Sequence, residues 1–356
     1  LNKRKLGLAL SLVLAAGTLL GACGKSSDNK ENKADANTFS VGMVTDIGGV
    51  DDKSFNQSSW EGLQSFGKEN GLKEGKGGYD YLASKSDADY TTNLNTLVRQ
   101  GFDLVYAIGF LMPGALEEIA TQQKDAKFAI VDAEVKQPNV ASILFKEQEA
   151  GFLAGVAAAK ATKTNQVGFI GGMESSVIER FEVGFEAGVK AANPEVKVDV
   201  QYAGAFDRAE VGQAIASKMY SSGADVIFHA AGATGAGLFK EANDRKAKNP
   251  EQDFWAIGVD RDQADMGENV VLTSALKRVD VAVKDLATKT KDGKFPGGKV
   301  TLYGLSEDAV GLAPINDKVS NKADIDAAVQ EWVEKIKSGA IDVPETKDEL
   351  KTFSVK

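Results

Sequence analysis

From Phe39 onward, short apolar runs alternate with longer stretches whose apolar residues recur every three or four positions. The first pattern fits strands buried on both faces and the second fits amphipathic helices. Their regular alternation predicts a parallel α/β sheet. Strands are expected at 40–45, 79–83, 104–109, 127–132 and 140–145, and helices at about 53–69, 89–100, 112–123 and 148–161. The first helix has Asp52 or Ser54 as its N-cap and Gly71 just past its end. Trp60, Leu63 and Phe66 fall at helical spacing and read as core.

The series then starts again. Val167-Gly168-Phe169-Ile170 echoes Val41-Gly42-Met43-Val44. Gly223–Phe228 echoes Gly101–Tyr106, and Phe254–Asp260 echoes Phe128–Asp132, at offsets of 126, 122 and 126 residues. Similar strands in the same order at a nearly constant offset predict two similar lobes of α/β class, each a parallel sheet flanked by helices. The second lobe adds helices near 176–192, 208–222 and 235–246, then a strand at Val271–Lys277. A helix at about 279–291, a glycine-rich segment at 293–304 and a final helix at 321–339 follow. The final helix carries one apolar stripe, Ile325, Ala328, Val329, Trp332, Val333 and Ile336. These late elements must return to one or both lobes, so a hinge of several crossing strands is expected. The expected division is 39–160 plus 278–300 for lobe 1 and 161–277 plus 301–350 for lobe 2. Gly151, Gly155 and the alanines around them let the helix before the first crossing pack closely.

The chain of 356 residues has room for two domain-sized units. Its formal charge is −9, with no basic tract past the first five residues, so phosphate-neutralising nucleic-acid binding is not expected. Cys23 is the single cysteine and His229 the single histidine. Internal disulfides, multi-cysteine or multi-histidine metal sites and a histidine-dependent triad are thereby disfavoured. Lys3, Arg4 and Lys5 precede an apolar run of 15 residues, Leu6–Leu20, which is short for a membrane span and right for a signal peptide. Leu20-Gly21-Ala22-Cys23 resembles a bacterial lipobox, which makes 1–22 a lipoprotein signal peptide and Cys23 the acylated residue. Residues 23–38 are small and polar and read as a flexible tether. The expected location is the cell membrane, lipid-anchored on the extracytoplasmic face.

In open parallel sheets ligands sit beyond the carboxyl ends of the strands. Asp46, Asp51 and Asp52 follow the first strand, Gly109, Phe110 and Met112 the third, and Asp132 ends the fourth. In the second lobe Gly171–Met173, Gly204–Asp207, Gly232–Gly235, Asp260 and Lys277 take the corresponding places. Ionised carboxylates accept hydrogen bonds and donate none, so this set suits a ligand rich in OH and NH groups. Phe55 and Phe206, one from each lobe, are placed to sandwich a flat ring. The acids would repel a free phosphate. Gly171-Gly172 and Gly232–Gly237 lack the P-loop lysine and the full dinucleotide spacing, so no cofactor is expected. Asp46 and Asp52 have helix capping as an alternative role, Phe55 that of a hydrophobic staple or core residue, and Lys277 that of a surface lysine. His229, between apolar strand residues, reads as core.

Thr45–Trp60 (T-D-I-G-G-V-D-D-K-S-F-N-Q-S-S-W), Ala150–Gly155 (A-G-F-L-A-G), Ile257–Asp260 (I-G-V-D) and Thr273–Lys277 (T-S-A-L-K) resemble the basic membrane protein family, the PnrA-like purine-nucleoside-binding lipoproteins. The resemblance spans essentially the whole mature chain. It implies a type I periplasmic-binding-protein fold and delivery of a nucleoside of the adenosine, guanosine and inosine class to an ABC permease with its ATPase. It also implies a monomer, a membrane partner through the lipid anchor, and no enzymatic activity. By the same resemblance Phe55 and Phe206 stack on the ring, and Asp52 and Asp132 contact the base. Asp46, Asp260, Lys277 and an amide near Gly232 contact the ribose. A nucleoside-cleaving enzyme using paired carboxylates, a surface sensor or adhesin, and a sugar-binding protein of the same fold are the rival readings.

Overall fold

The computed structural model describes residues 39–354. The expected signal peptide and tether, and Cys23 with them, lie outside the described residues. Twelve strands form two sheets of six. The first holds β1 (Val41–Val44), β2 (Tyr79–Leu82), β3 (Leu104–Ile108), β4 (Phe128–Val131), β5 (Val140–Phe145) and β11 (Val300–Tyr303), in the spatial order β11-β5-β4-β3-β1-β2. The second holds β6 (Gln166–Gly171), β7 (Lys197–Tyr202), β8 (Val226–Ala230), β9 (Trp255–Asp260), β10 (Val271–Lys277) and β12 (Val310–Leu312), in the order β12-β10-β9-β8-β6-β7. Every pairing is parallel except that of β12 with β10. The two orders are the same order repeated. The three echoed segments fall on β1 and β6, β3 and β8, and β4 and β9, at equal positions in their sheets.

The central strands are buried throughout, as continuous apolar runs in doubly covered parallel sheets are. Helices α2 (Tyr90–Gln100) and α3 (Pro113–Gln122) cover one face of the first sheet through Leu94, Leu97, Leu116 and Ile119. Helices α6 (Ala209–Ser221) and α7 (Ala236–Lys248) cover the matching face of the second through Met219, Leu238 and Phe239. On the remaining face of the first sheet, α1 (Phe55–Glu69) packs beside α8 (Val279–Lys291). Trp60 meets Tyr81 edge-on at 4.8 Å, a core contact.

Helix α4 (Glu147–Ala161) packs along α5 (Ser176–Ala192), touching β10 and β12. It therefore belongs with the second sheet, where the expected division placed it in lobe 1. The reason is steric. Gly151 and Gly155 face the backbone of Phe181 and Phe185, while Gly184 and Gly188 face that of Gln148 and Phe152, and a Cβ at any of the four would strike a carbonyl. Strand β11 pairs with β5, so 300–303 completes the first sheet where 301 onward was expected in lobe 2. Helix α9 (Lys322–Lys337) lies on α4, with Trp332 edge-on to Phe152 at 5.1 Å. A short α10 (Lys347–Thr352) follows against α5.

The chain crosses between lobes three times, at Lys146, at Arg278 and between β11 and β12. The crossings bond to one another: Lys146 N–H donates to the Tyr303 carbonyl and Arg278 N–H to the Ala309 carbonyl, both at 2.8 Å. Leu305 N–H donates to Glu149 Oε2 at 2.7 Å.

Candidate functional site

The carboxyl ends of the two sheets face each other across a cavity. Asp46, Asp52, Phe55 and Asn56 follow β1, Phe110 follows β3 and Asp132 follows β4. Across from them stand Phe206 after β7, Gly232 after β8, Asp260 ending β9 and Lys277 ending β10. Val177, Ile178 and Phe181 of α5 complete the wall. All the candidates named from the strand ends, Asp46, Asp52, Phe55, Asp132, Phe206, Gly232, Asp260 and Lys277, are brought onto this one surface. Asn56 and the α5 side chains join them without having been singled out.

Asp52 is fully occupied by the start of α1. Its Oδ1 accepts from Ser54 N–H at 2.8 Å and Gln57 N–H at 3.0 Å, and its Oδ2 from Asn56 N–H at 2.8 Å and Asn56 Nδ2 at 3.0 Å. These are donors that a helix start otherwise leaves unpaired. Ser54 occupies the cap position in the backbone, but its side chain makes no cap bond. It donates instead to Asp260 Oδ2 in the opposite lobe.

Asp46 takes Gly48 N–H at 3.1 Å and Asn56 Nδ2 at 2.6 Å, both on Oδ1. Burial drives its carboxyl up to about 7, against the pull of the Asn56 bond. Asp260 is likewise pushed up to about 7 by burial, with Lys277 and Ser54 opposing. Asn56 Oδ1 and Asp132 Oδ1 are buried without a partner among the described residues. Asp132 and Asp260 close their strands in the left-handed region, at φ 68° and 66°. That conformation is uncommon for a residue with a Cβ, and it occurs at the same position in both lobes.

Lys277 is the cation of the cavity. Its Nζ lies 2.5 Å from Asp132 Oδ2 and 3.1 Å from Glu147 Oε1, and 5.1 Å from the Phe55 ring centroid. Glu147, at the start of α4, is held in turn by Arg180 at 2.6 Å. Burial works against the charged ammonium, yet Asp132, Glu147 and Asp260 together keep it raised above its ordinary value. The result is a buried row of alternating charge spanning both lobes and a crossing, in which no ion lacks a counter-ion.

Phe206 is held from behind. Thr234 N–H donates to its carbonyl at 3.0 Å and Thr234 Oγ1 donates to the Ala205 carbonyl at 3.0 Å. Phe110 meets the Phe206 ring edge-on at 5.9 Å, so one aromatic from the first lobe braces one from the second. Gly232, at φ 53°, lets the chain pass close behind Phe206. His229 is buried, as expected, with Nε2 against Gln263 Oε1 at 3.0 Å. Among the described residues the wall carries four carboxylates and one ammonium, and no cluster of His, Cys, Asp or Glu is arranged to hold a metal ion.

Two lobes of one topology, with a cavity between their strand ends, define the type I periplasmic-binding-protein fold. The particular family is given by comparison. The chain belongs to the Bmp family, the PnrA-like ABC transporter substrate-binding proteins, whose model matches residues 39–347. A Listeria innocua protein called CD4+ T-cell-stimulating antigen is 54% identical, over 97% of this chain and 99% of that protein. The ABC transporter nucleoside-binding protein BmpA of Lactococcus lactis is 45% identical, over 96% and 99%. A solved ABC-transporter solute-binding protein from Aeropyrum pernix superposes with a TM-score of 0.76 at 29% identity, covering 88% of this chain and 96% of that one.

Proposed function

We propose that this substrate-binding protein captures purine nucleosides by hinge closure and hands them to an ABC permease, and that Cys23 anchors it by lipid to the outer face of the cell membrane. The observation that carries this reading is that aromatics from opposite lobes, Phe55 and Phe206, line one cavity with four carboxylates and Lys277. Aromatic faces suit a planar base, and carboxylates suit its NH groups and the ribose hydroxyls. The negative wall disfavours a phosphorylated ligand. In this reading Asp132 meets the base, while Asp260, Asp46, Lys277 and Gly232 meet the ribose. Asp52 acts on the base only indirectly, by fixing Asn56 and the helix start that carries Phe55. The Lactococcus relative, named for nucleoside binding, supports the ligand class.

Native mass spectrometry of the purified protein tests the proposal. A co-purified mass matching a purine nucleoside is expected, and a sugar or nucleotide would overturn it. Asp260→Ala is expected to weaken nucleosides by about tenfold and free bases far less by calorimetry. Equal losses would remove Asp260 from the sugar.

A second reading draws on Asp46 and Asp260, two carboxyls near 7 in one cavity, where general acids and bases operate. In that case the protein would cleave nucleosides, and incubation would release free base. We expect none.

A further inference from the structure

Gln263 lies just past β9 in the second lobe, is 1% exposed, and does not line the cavity. Its Oε1 accepts Val259 N–H at 2.8 Å. A backbone N–H can only donate, so this bond fixes which way the amide points. Nε2 therefore faces the first lobe, where it donates to the Lys53 carbonyl at 2.9 Å. Gln263 N–H donates to Ser274 Oγ at 3.0 Å, tying the residue to its own sheet. His229 Nε2, 3.0 Å from the same Oε1, must then carry its proton and donate. Gln263 is thus held by three bonds within its own lobe and reaches across with a fourth.

The receiving turn is unusual. Lys53 sits at φ 61°, left-handed for a residue with a Cβ, between Asp52 and Ser54. Two further contacts join the same segments. Ser54 Oγ donates to Asp260, and Arg261 lies 3.3 Å from Glu61. The stretch Asp260–Gln263 therefore grips the loop and helix start that carry Phe55.

We propose that Gln263 is a positioning residue that latches the closed form, its bond to the Lys53 carbonyl forming on closure and setting how long a ligand stays. The partners belong to different lobes, and Gln263 is anchored too firmly to follow Lys53 when the hinge opens. A contact made only in the closed state shifts the population toward that state, and acts on dissociation more than on association. The ligand arm of this inference rests on the nucleoside reading above; the ligand-free arm does not.

The test uses the full chain, with dyes on exposed Lys124 in the first lobe and Glu251 in the second to follow closure by single-molecule energy transfer. Stopped-flow measurements with adenosine and inosine follow binding. Gln263→Met keeps side-chain length and removes both the amide oxygen and the amide NH2. It is expected to lower the ligand-free closed fraction about threefold and speed nucleoside dissociation about tenfold, with association within about twofold. Lys53→Gly keeps the carbonyl and relieves the left-handed turn, and is expected to raise the closed fraction. A wild-type closed fraction in Gln263→Met, or lower thermal stability with unchanged dissociation, overturns the latch. Should Gln263→Met not fold, Lys53→Gly and Arg261→Ala decide: a closed fraction unmoved by both overturns it. If the wild type binds neither nucleoside, the ligand reading fails and the energy-transfer result alone judges the latch.

Discussion

Asp46 and Asp52 follow the same strand, yet their oxygens are engaged differently. Asp52 has both oxygens saturated by the start of α1, whereas Asp46 receives its two bonds on Oδ1. The raised carboxyl of Asp46 has a consequence for stability. Its folded value of about 7 lies above the ordinary 3.8, so between those pH values the folded state holds more protons than the unfolded one. The stability contributed by that proton is fully present below about 4 and lost as pH rises to about 7. Asp46→Asn removes the ionisable group and is expected to raise ligand-free stability at pH 8 by about 1–2 kcal/mol, with little change at pH 4, in urea titrations. An equal change at both pH values would refute the burial argument. At Phe55, substitution by Ala is expected to weaken nucleoside binding more than about tenfold through lost stacking. Unchanged affinity by calorimetry would take Phe55 out of the site. Carboxylates at strand ends were visible in the sequence because topology puts strand ends at a cleft. Asn56, one residue past Phe55, is not marked by the sequence, because its side chain turns inward only through bonds to Asp46 and Asp52. Glu147, Arg180 and Gln263 act through residues far away in the chain, so no local pattern marks them.

At the scale of elements, the α4–α5 crossing is the tightest joint, and it was half legible. Gly151 and Gly155 are legible as a close-packing face, but nothing local marks the partner face, Gly184 and Gly188. Without the partner face, sequence order alone places α4 with lobe 1, whereas it packs on α5. Gly188→Val would push a branched side chain against the Phe152 carbonyl, which cannot rotate away. It is expected to cost about 3 kcal/mol in chemical denaturation. A loss below about 0.5 kcal/mol would mean that the helices can separate freely. The strands missed from sequence are edge strands. β7 alternates exposed and half-buried residues, β11 leaves Val300 and Leu302 exposed, and β12 spans only Val310–Leu312. Edge strands lack the continuous apolar run that marked the central ones.

For the whole molecule, two parallel-sheet lobes were legible because the same strand pattern occurs twice. The exact crossings were not, because a crossing is defined by which sheet receives the chain, not by its residues. The cavity that results is lined by Asp46, Asp52, Asp132 and Asp260 together with one lysine, Lys277. A ligand that donates hydroxyl hydrogens favours ionised Asp46 and Asp260 and should drive their protons off. Binding is therefore expected to weaken at least about tenfold from pH 8 to pH 5, and to release protons near pH 7. Calorimetry in two buffers of different ionisation heat measures this, and a proton count of zero with pH-independent affinity would contradict it.

The three crossings also bear on how the molecule is made. The first lobe receives its sixth strand, β11, and its covering helix, α8, only after the chain has run through the strands of the second lobe to Lys277. A nascent or translocating chain that has delivered β5 holds a five-stranded sheet lacking α8 on one face and β11 on one edge. The first lobe is completed only by closing a loop of well over a hundred residues between β5 and β11, a non-local pairing that is expected to slow folding. Folding is expected to be slow and cooperative, with a single transition for both lobes rather than one for each.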